Sequence, residues 1–148
     1  MKTLIAVIGD SAPSAETAAL AEQVGRRIAE RGAVLVCGGL GGVMEAAARG
    51  AKSAGGLTLG ILHGYDPASA NPYIDLPICT GMGHARNVII AATAGALIAL
   101  EGAYGTLSEI ALGLKLGRRV VGLGRRENPA GVLPARSPEE AVRLALHE

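Results

Sequence analysis

The sequence predicts an α/β fold: a doubly wound, Rossmann-like, mostly parallel sheet with helices on both faces, in a single domain of 148 residues. Apolar runs of strand length alternate with helical patterns along the whole chain, which is typical of parallel strands joined by right-handed helical crossovers. These runs are almost continuously apolar, as expected for strands that are covered on both faces. The 22 glycines cluster at the ends of the runs, where they indicate tight strand-to-helix turns.

The first half of the chain contains three predicted strands and two predicted helices. The strands are the apolar runs 4–8, 34–37 and 57–62. The first helix is predicted over 13–31, because Pro13 suits a first helical turn, apolar residues recur at helical spacing and Gly32 can end the helix. The second helix is predicted over 43–54, between a glycine loop and the pair Gly55-Gly56.

The second half repeats the alternation. A long loop leads to a short strand over 74–79, which Pro77 is expected to confine to a sheet edge. A helix is predicted from His84, although its β-branched residues weaken the pattern. Then follow a strand at 96–100, a helix at 104–116 and a strand at 119–123. The last helix is predicted from Pro138, with Ser137 and Glu140 forming a capping box.

Composition excludes several classes of function. The formal net charge is +1 and no basic block is present, so we expect no nucleic-acid partner. No apolar stretch reaches the roughly 20 residues that cross a bilayer, and the apolar start of the chain fits a first strand better than a signal peptide. We therefore expect no membrane partner and a cytoplasmic location, with Cys37 and Cys79 as buried thiols and no metal site.

Three glycine-containing loops follow strands and are expected to meet at one sheet edge. They are Gly9-Asp10-Ser11, Gly38-Gly39-Leu40-Gly41-Gly42 and Glu101-Gly102-Ala103-Tyr104-Gly105-Thr106. Glycine allows close backbone approach, and the N–H groups of a following helix can bind an anion, so the loops predict a phosphate site. The candidate ligand-binding residues are Gly9, Ser11, Gly38, Gly39, Gly41, Gly42, Met44, Arg86, Gly102, Tyr104, Gly105 and Thr106.

Familiar nucleotide motifs are absent. A dinucleotide fingerprint needs GxGxxG after the first strand and an acidic residue about 20 positions later, and neither is found. Gly50-Ala51-Lys52-Ser53 lacks the spacing of a P-loop and falls in or at the end of a helix. Bound NAD and a Walker-type ATPase are therefore disfavoured.

Two charged residues each allow two interpretations. Glu109 could close a capping box with Thr106, which the spacing alone favours, or place a carboxylate beside the phosphate loop. Arg86 could be a surface arginine or an anion clamp at a helix start. The neighbouring His84 is expected to pack or to face solvent.

These segments together resemble the LONELY GUY-like (LOG-like, SLOG) superfamily, whose members were long labelled "possible lysine decarboxylase". The segment from Glu101 to Glu109 is similar to the family's PGGxGTxxE, residues 38–44 to its glycine-rich loop ending in Met, and Arg86-Asn87 to its Arg-Lys pair. In the phosphoribohydrolases of this family the resemblance implies cleavage of the N-glycosidic bond of nucleoside 5′-monophosphates. It then implies that Arg86 and Glu109 are catalytic and that the GxGT loop holds the 5′-phosphate.

The chain departs from that pattern at two charged positions. Glu101 and Ala103 replace a proline and a glycine, and Asn87 replaces the lysine, so the loop is more negative than in the hydrolases. These changes resemble the subgroup of molybdenum cofactor carrier proteins, which bind a pterin phosphate without turning it over. Decarboxylation is unsupported, because Lys2, Lys52 and Lys115 lie on no loop suited to a Schiff base.

Two functions remain open at this point. The favoured one is a carrier for a phosphorylated ligand, with bound molybdenum cofactor or nucleotide possible and no cofactor required; the alternative is a phosphoribohydrolase. The apolar helical segments 88–94 and 110–116 further predict a homodimer or homotetramer.

Overall fold

The computed structural model describes residues 1–148 and confirms the predicted α/β fold in a single domain. Seven strands are present: β1 (Leu4–Ile8), β2 (Val34–Cys37), β3 (Thr58–Leu62), β4 (Leu76–Cys79), β5 (Ala96–Ala99), β6 (Arg119–Leu123) and β7 (Leu133–Ala135). Five α-helices connect or follow them: α1 (Ala15–Glu30), α2 (Val43–Ser53), α3 (Arg86–Thr93), α4 (Tyr104–Lys115) and α5 (Pro138–Ala145). Short 3-10 turns occupy Pro67–Ser69 and Gly83–Ala85.

The strands form one sheet in the order β4-β3-β2-β1-β5-β6-β7, and every neighbouring pair is parallel. β1 lies in the middle, with β2 on one side and β5 on the other. The direction in which the chain adds strands therefore reverses between β1 and β5. In open α/β sheets this switch point leaves a crevice beyond the carboxyl ends of the strands.

Helices cover the two faces of the sheet unequally. One face packs against α1, α2 and α5 and contains the larger aliphatic cluster, which includes Ile5, Val24 and Leu35. The other face packs against α3 and α4 alone, around Ile90, Leu97 and Ile110. Two helices leave part of a seven-stranded sheet uncovered, and both faces of β4 remain at least partly exposed.

Helices α1 and α2 approach closely because glycines face each other's backbone. A Cβ on Gly25 would overlap the carbonyl oxygen of Ala47, and one on Gly50 would overlap the carbonyl oxygen of Glu22. The GAKS segment that begins at Gly50 therefore serves helix packing rather than phosphate binding.

The structure corrects several predicted details. Strand β7 was not predicted, because its three residues include Pro134 and lie at an exposed edge, where no periodic pattern can develop. Pro13 precedes α1 rather than opening it, since Ser14 is the N-cap and its hydroxyl accepts the Thr17 N–H at 3.1 Å. Cys79 is exposed rather than buried, because it ends the edge strand β4.

Other local predictions are confirmed. Pro77 lies in an edge strand, and Ser137 caps α5 by accepting the Glu140 N–H at 3.1 Å. The return bond of this capping box reaches one residue earlier than expected, from the Arg136 N–H to Glu140 at 3.0 Å. No helix is long and apolar enough to cross a bilayer.

Candidate functional site

A cavity of about 250 Å³ opens at the carboxyl edge of the sheet, beside the switch point at β1. Its walls come from the ends of β1 and β2, the loops after β1, β2 and β5, and the first turns of three helices. The lining residues are Val7, Ile8, Gly9, Asp10, Ser11, Gly38, Leu40, Met44, His84, Arg86, Asn87, Ala103, Gly105, Thr106 and Glu109.

Backbone hydrogen bonds join the three loops around the cavity. The Asp10 N–H donates to the Glu101 carbonyl at 3.0 Å, and the Val43 N–H donates to the Asp10 carbonyl at 2.9 Å. Gly42 has a φ of +70°, and a Cβ at this position would overlap the Asp10 carbonyl oxygen. The crossing of the first two loops therefore requires glycine at position 42.

Three helices begin at the cavity without a side-chain cap. The N-cap residues of α2, α3 and α4 are Gly42, Ala85 and Ala103, and none supplies a side-chain hydrogen bond. Serines cap the other two helices, α1 and α5. At the start of α4, the N–H groups of Tyr104, Gly105 and Thr106 have no acceptor in the chain. Such unpaired donors, at the positive end of a helix dipole, are suited to contact with an anion.

Arg86 places a cation in the same cavity. Its side chain is buried, with only 9% of the residue exposed, and its guanidinium donates to the Asn87 side chain and, at 3.5 Å, to the Gly38 carbonyl. The buried Nε has no partner at all. Burial lowers the pKa of Arg86, while the nearby Glu109 and Cys37 act in the opposite direction. The Arg86 guanidinium is thus a buried cation whose hydrogen bonds are incomplete, so the cavity around it favours an anion.

Gly38 provides the space for this guanidinium. A Cβ on Gly38 would lie 2.6 Å from Arg86 Nη2 and 2.7 Å from Met44 Sδ. The adjacent Cys37 is fully buried, and burial raises the pKa of its thiol to about 11, so this side chain is neutral.

Glu109 is the acidic group inside the cavity wall. Only 8% of the residue is exposed, and neither Glu109 nor Arg86 takes part in any of the ion pairs of the chain. Burial raises the pKa of Glu109 from 4.5 to about 7, against the opposing effect of Arg86. The carboxyl group therefore titrates near neutral pH.

The capping-box interpretation of Thr106 and Glu109 is wrong. Helix α4 begins at Tyr104 with Ala103 as its N-cap, so Thr106 lies within the first turn rather than at the cap. The helix thus starts at the residue predicted from the sequence, two positions before Thr106. Glu109 consequently lies in the second turn and lines the cavity.

The structure brings most of the predicted site residues together, but not all of them. Gly9, Ser11, Gly38, Met44, Arg86, Gly105, Thr106 and Glu109 line the cavity. Gly39, Gly41, Gly42 and Gly102 shape the loops without lining it, and Tyr104 faces a different cavity. His84 lines the rim and is exposed, in agreement with the solvent-facing alternative.

Sequence reasoning missed Val7, Ile8, Asp10, Leu40 and Ala103 as lining residues. Asp10, Leu40 and Ala103 lie inside the glycine loops that were singled out, so their position in the chain was the available signal. No group of three His, Cys, Asp or Glu side chains is placed to hold a metal ion.

Two further cavities adjoin the central one. The larger, of about 500 Å³, lies between the start of α4 and the loop after β6, and shares Ala103 with the central cavity. The other, of about 310 Å³, lies against the start of α1 and shares Asp10 with the central cavity. Glu101 and Arg126 line both of these outer cavities.

Comparison with known proteins agrees with this architecture. Residues 2–145 match the model of the SLOG cluster4 family. An uncharacterized protein from Archaeoglobus fulgidus is 49% identical over 142 residues, which cover 96% of this chain and 93% of that protein.

Two solved structures are similar over almost the whole chain. The molybdenum cofactor binding protein from the phototrophic bacterium Rippkaea orientalis superposes with a TM-score of 0.92 at 36% identity, covering 99% of this chain and 97% of that one. The molybdenum cofactor carrier protein from Chlamydomonas reinhardtii superposes with a TM-score of 0.90 at 33% identity, covering 100% of both chains.

Proposed function

The chain belongs to the SLOG cluster4 family, and from this premise we propose that it is a carrier-type binding protein for a phosphorylated pterin or nucleotide-like cofactor, such as the molybdenum cofactor. Two structural relatives at 33–36% identity are proteins that bind or carry the molybdenum cofactor. Because the similarity covers nearly the full chain and includes the loops of the cavity, it supports the same ligand class here.

The observation that carries the proposal is the unpartnered Nε of Arg86, buried beside the free N–H groups of α4. A phosphate accepts several hydrogen bonds at once, and its negative charge would give Arg86 the ion-pair partner that it lacks within the chain. The residues present therefore fit the phosphate group of such a cofactor. Arg86 would supply the cation, and Tyr104, Gly105 and Thr106 would supply backbone donors.

The contacts of Asn87 and Glu101, the two polar residues that depart from the hydrolase pattern, favour binding without turnover. Asn87, where the hydrolase pattern has lysine, bridges the Arg86 guanidinium and the Ser108 hydroxyl. Glu101 accepts the Arg126 N–H at 2.9 Å and adds negative charge next to the phosphate loop. Both features lower the positive charge available to hold the dianionic 5′-phosphate of a nucleoside monophosphate substrate.

A phosphoribohydrolase is the second candidate, and Glu109 is the observation that favours it. A buried carboxyl group with a pKa of about 7, in the same cavity as Arg86, is suited to general acid–base catalysis. The two candidates differ in whether a bound nucleotide is cleaved.

One titration series tests the proposal. We expect inorganic phosphate to bind the native protein in calorimetry and Arg86→Ala to weaken binding by about 1.5–3 kcal/mol, the range for a hydrogen bond to a charged group. Arg27→Ala, which removes an exposed arginine paired with Glu30, is the matched control. Equal phosphate affinity in the native protein and Arg86→Ala would remove Arg86 from the site.

Incubation with adenosine and guanosine monophosphates completes the test. Chromatography is expected to show neither free base nor ribose 5-phosphate. Turnover that disappears in Glu109→Gln would overturn the carrier proposal and make Glu109 catalytic.

We also propose that the carrier is a cytoplasmic homo-oligomer. Both cysteines are free, and the exposed Cys79 thiol is suited to a reducing compartment. The support for assembly is the sheet face covered by α3 and α4, where Val88 and Leu116 remain exposed.

A further inference from the structure

The outer cavity beside α4 is larger than the central cavity and has a different character. It lies between the first turn of α4 and the loop that follows β6, and its volume is about 500 Å³. One wall is aromatic and aliphatic, and the other contains two carboxylates, an amide and two guanidinium groups. Neither Arg86 nor Glu109 reaches it, so the phosphate site leaves this space unused.

Tyr104 and Leu107 form the apolar wall. They are three residues apart on α4 and therefore lie on the same side of the helix. Tyr104 is 86% exposed and Leu107 is 42% exposed, although the chain contains only three tyrosines and neither Phe nor Trp. A tyrosine ring at the mouth of a cavity, with no partner for its hydroxyl, offers a flat surface on which another ring can stack.

Glu101 supplies an oriented acceptor in the polar wall. One of its carboxylate oxygens accepts the Arg126 N–H at 2.9 Å, which fixes the carboxylate in the cavity. A carboxylate offers about four acceptor positions, so most of this capacity is free. Glu101 can therefore accept two neighbouring N–H groups of a ligand.

Asn128 supplies a donor in the same wall. Its amide oxygen accepts the Arg125 Nε–H at 3.1 Å, while Arg125 also donates to the Leu100 carbonyl at 2.8 Å. The amide nitrogen of Asn128 has no partner within the chain. The cavity thus combines a free acceptor pair, a free amide donor and an aromatic surface.

We propose that this cavity binds a 2-amino-4-oxopyrimidine ring, the ring edge that pterins and guanine share. Glu101 accepts the N3–H and 2-amino groups, Asn128 donates to the 4-oxo group, and the ring stacks on Tyr104. Adenine is disfavoured, because its ring N1 would present a lone pair to the carboxylate instead of a proton. The inference rests on the proposed function in one respect: the phosphate end of the same ligand is assigned to the adjoining central cavity.

A fluorescence titration with pterin and lumazine tests the ring assignment. Lumazine has an oxo group where pterin has the 2-amino group and carries a proton on the adjacent N1. At the edge that Glu101 is proposed to contact, it therefore presents an acceptor in place of a donor. We expect the native protein to bind pterin about tenfold more tightly, the ratio that corresponds to one charge-assisted hydrogen bond.

Glu101→Gln should reverse this preference. Glutamine retains an oxygen that can accept the Arg126 N–H and adds an NH₂ donor, which suits the 2-oxo group of lumazine. Tyr104→Ala should weaken both ligands at least fivefold, whereas Tyr104→Phe should restore them. Glu139→Gln, at an exposed site on α5, controls for the loss of one negative charge.

Equal affinity of the native protein for pterin and lumazine would overturn the inference, and so would an unchanged preference in Glu101→Gln. A parallel titration with inorganic phosphate distinguishes a wrong ring assignment from a wrong anion site. If the anion site is wrong, the Arg86→Ala variant will bind phosphate as tightly as the native protein does. Guanosine forms a third arm. Tighter binding of either guanosine or pterin, with the same dependence on Glu101, supports the ring assignment and identifies its source.

Discussion

At the residue scale, Arg86 and Glu109 occupy one cavity without forming an ion pair. Each is about nine-tenths buried, and burial is the largest cause of the pKa shift of each group. A direct pair would neutralise both charges and fill the space that an anion needs. Their separation keeps the cavity open and leaves a positive group available to a ligand.

The buried carboxyl group predicts a pH-dependent stability. Because the folded-state pKa of Glu109 is raised from 4.5 to about 7, its stabilising contribution is complete below about pH 4.5 and is lost as the pH rises through 7. Glu109→Gln lacks this loss. At pH 8 the variant is expected to exceed the native protein in free energy of unfolding by about 3 kcal/mol, at about 1.4 kcal/mol for each pKa unit.

Urea unfolding of both proteins at pH 4.5, 6 and 8 measures the difference. It should be near zero at the lowest pH and should increase towards the highest. A constant difference across the three pH values would show that Glu109 does not titrate in this range.

At the scale of elements, the loop from β2 to α2 sets the position of the cation. Gly38 is in contact distance of both Arg86 and Met44, so a methyl group there would displace flexible side chains rather than backbone. We expect Gly38→Ala to remain folded and to bind phosphate about tenfold more weakly, because the guanidinium loses its placement.

Gly64→Ala is the matched control for this substitution. Gly64 lies at the same edge of the sheet, after β3, and a Cβ there would meet nothing within 4 Å. Calorimetry with phosphate compares the two variants. Equal phosphate affinities in Gly38→Ala and Gly64→Ala would show that the space beside Gly38 does not position Arg86.

The central strands and most helices follow from the sequence, because each is a continuous apolar run or a helical pattern with a clear stop. β1, β2 and β6 agree with their predicted bounds residue for residue. β7 could not be predicted, since its pairing with β6 depends on tertiary position and not on local pattern. α4 begins at Tyr104 as predicted, but the capping box that the spacing of Thr106 and Glu109 favours is absent, because the N-cap is Ala103, which carries no capping side chain.

The sequence predicts where in the fold the candidate site lies, but not how its side chains are arranged. Glycine loops after parallel strands indicate the correct edge of the sheet, and Arg86 and Glu109 were singled out by spacing and by family resemblance. The sequence cannot show that Arg86 lies against Gly38, 48 positions away along the chain. It also cannot show that Tyr104 faces away from the central cavity, because one residue along a helix changes direction by about 100°.

At the scale of the whole molecule, the unequal covering of the sheet predicts assembly. The face with two helices exposes Val88 on α3 and Leu116 at the C-cap of α4, and the edge strand β4 exposes Leu76 and Ile78. A second copy is expected to bury this face, since one chain provides no third helix to cover it.

Light scattering at micromolar concentration should give at least twice the chain mass of 14.9 kDa. Val88→Asp, which places a charge on the exposed part of α3, is expected to shift the mass towards that of one chain. A native protein that scatters as a monomer would contradict the prediction, because the exposed apolar face would then be stable in water.

The unpaired N–H groups at the start of α4 have a consequence for turnover of the protein in the cell. The N–H groups of Tyr104, Gly105 and Thr106 and the Arg86 Nε have no partner within the chain, so an anion that binds them stabilises the folded protein. A ligand at 100 times its dissociation constant adds about 2.7 kcal/mol to stability, which lowers the unfolded fraction roughly a hundredfold. Proteases that act on unfolded chains therefore remove empty copies first. The abundance of the protein would then follow the supply of its ligand.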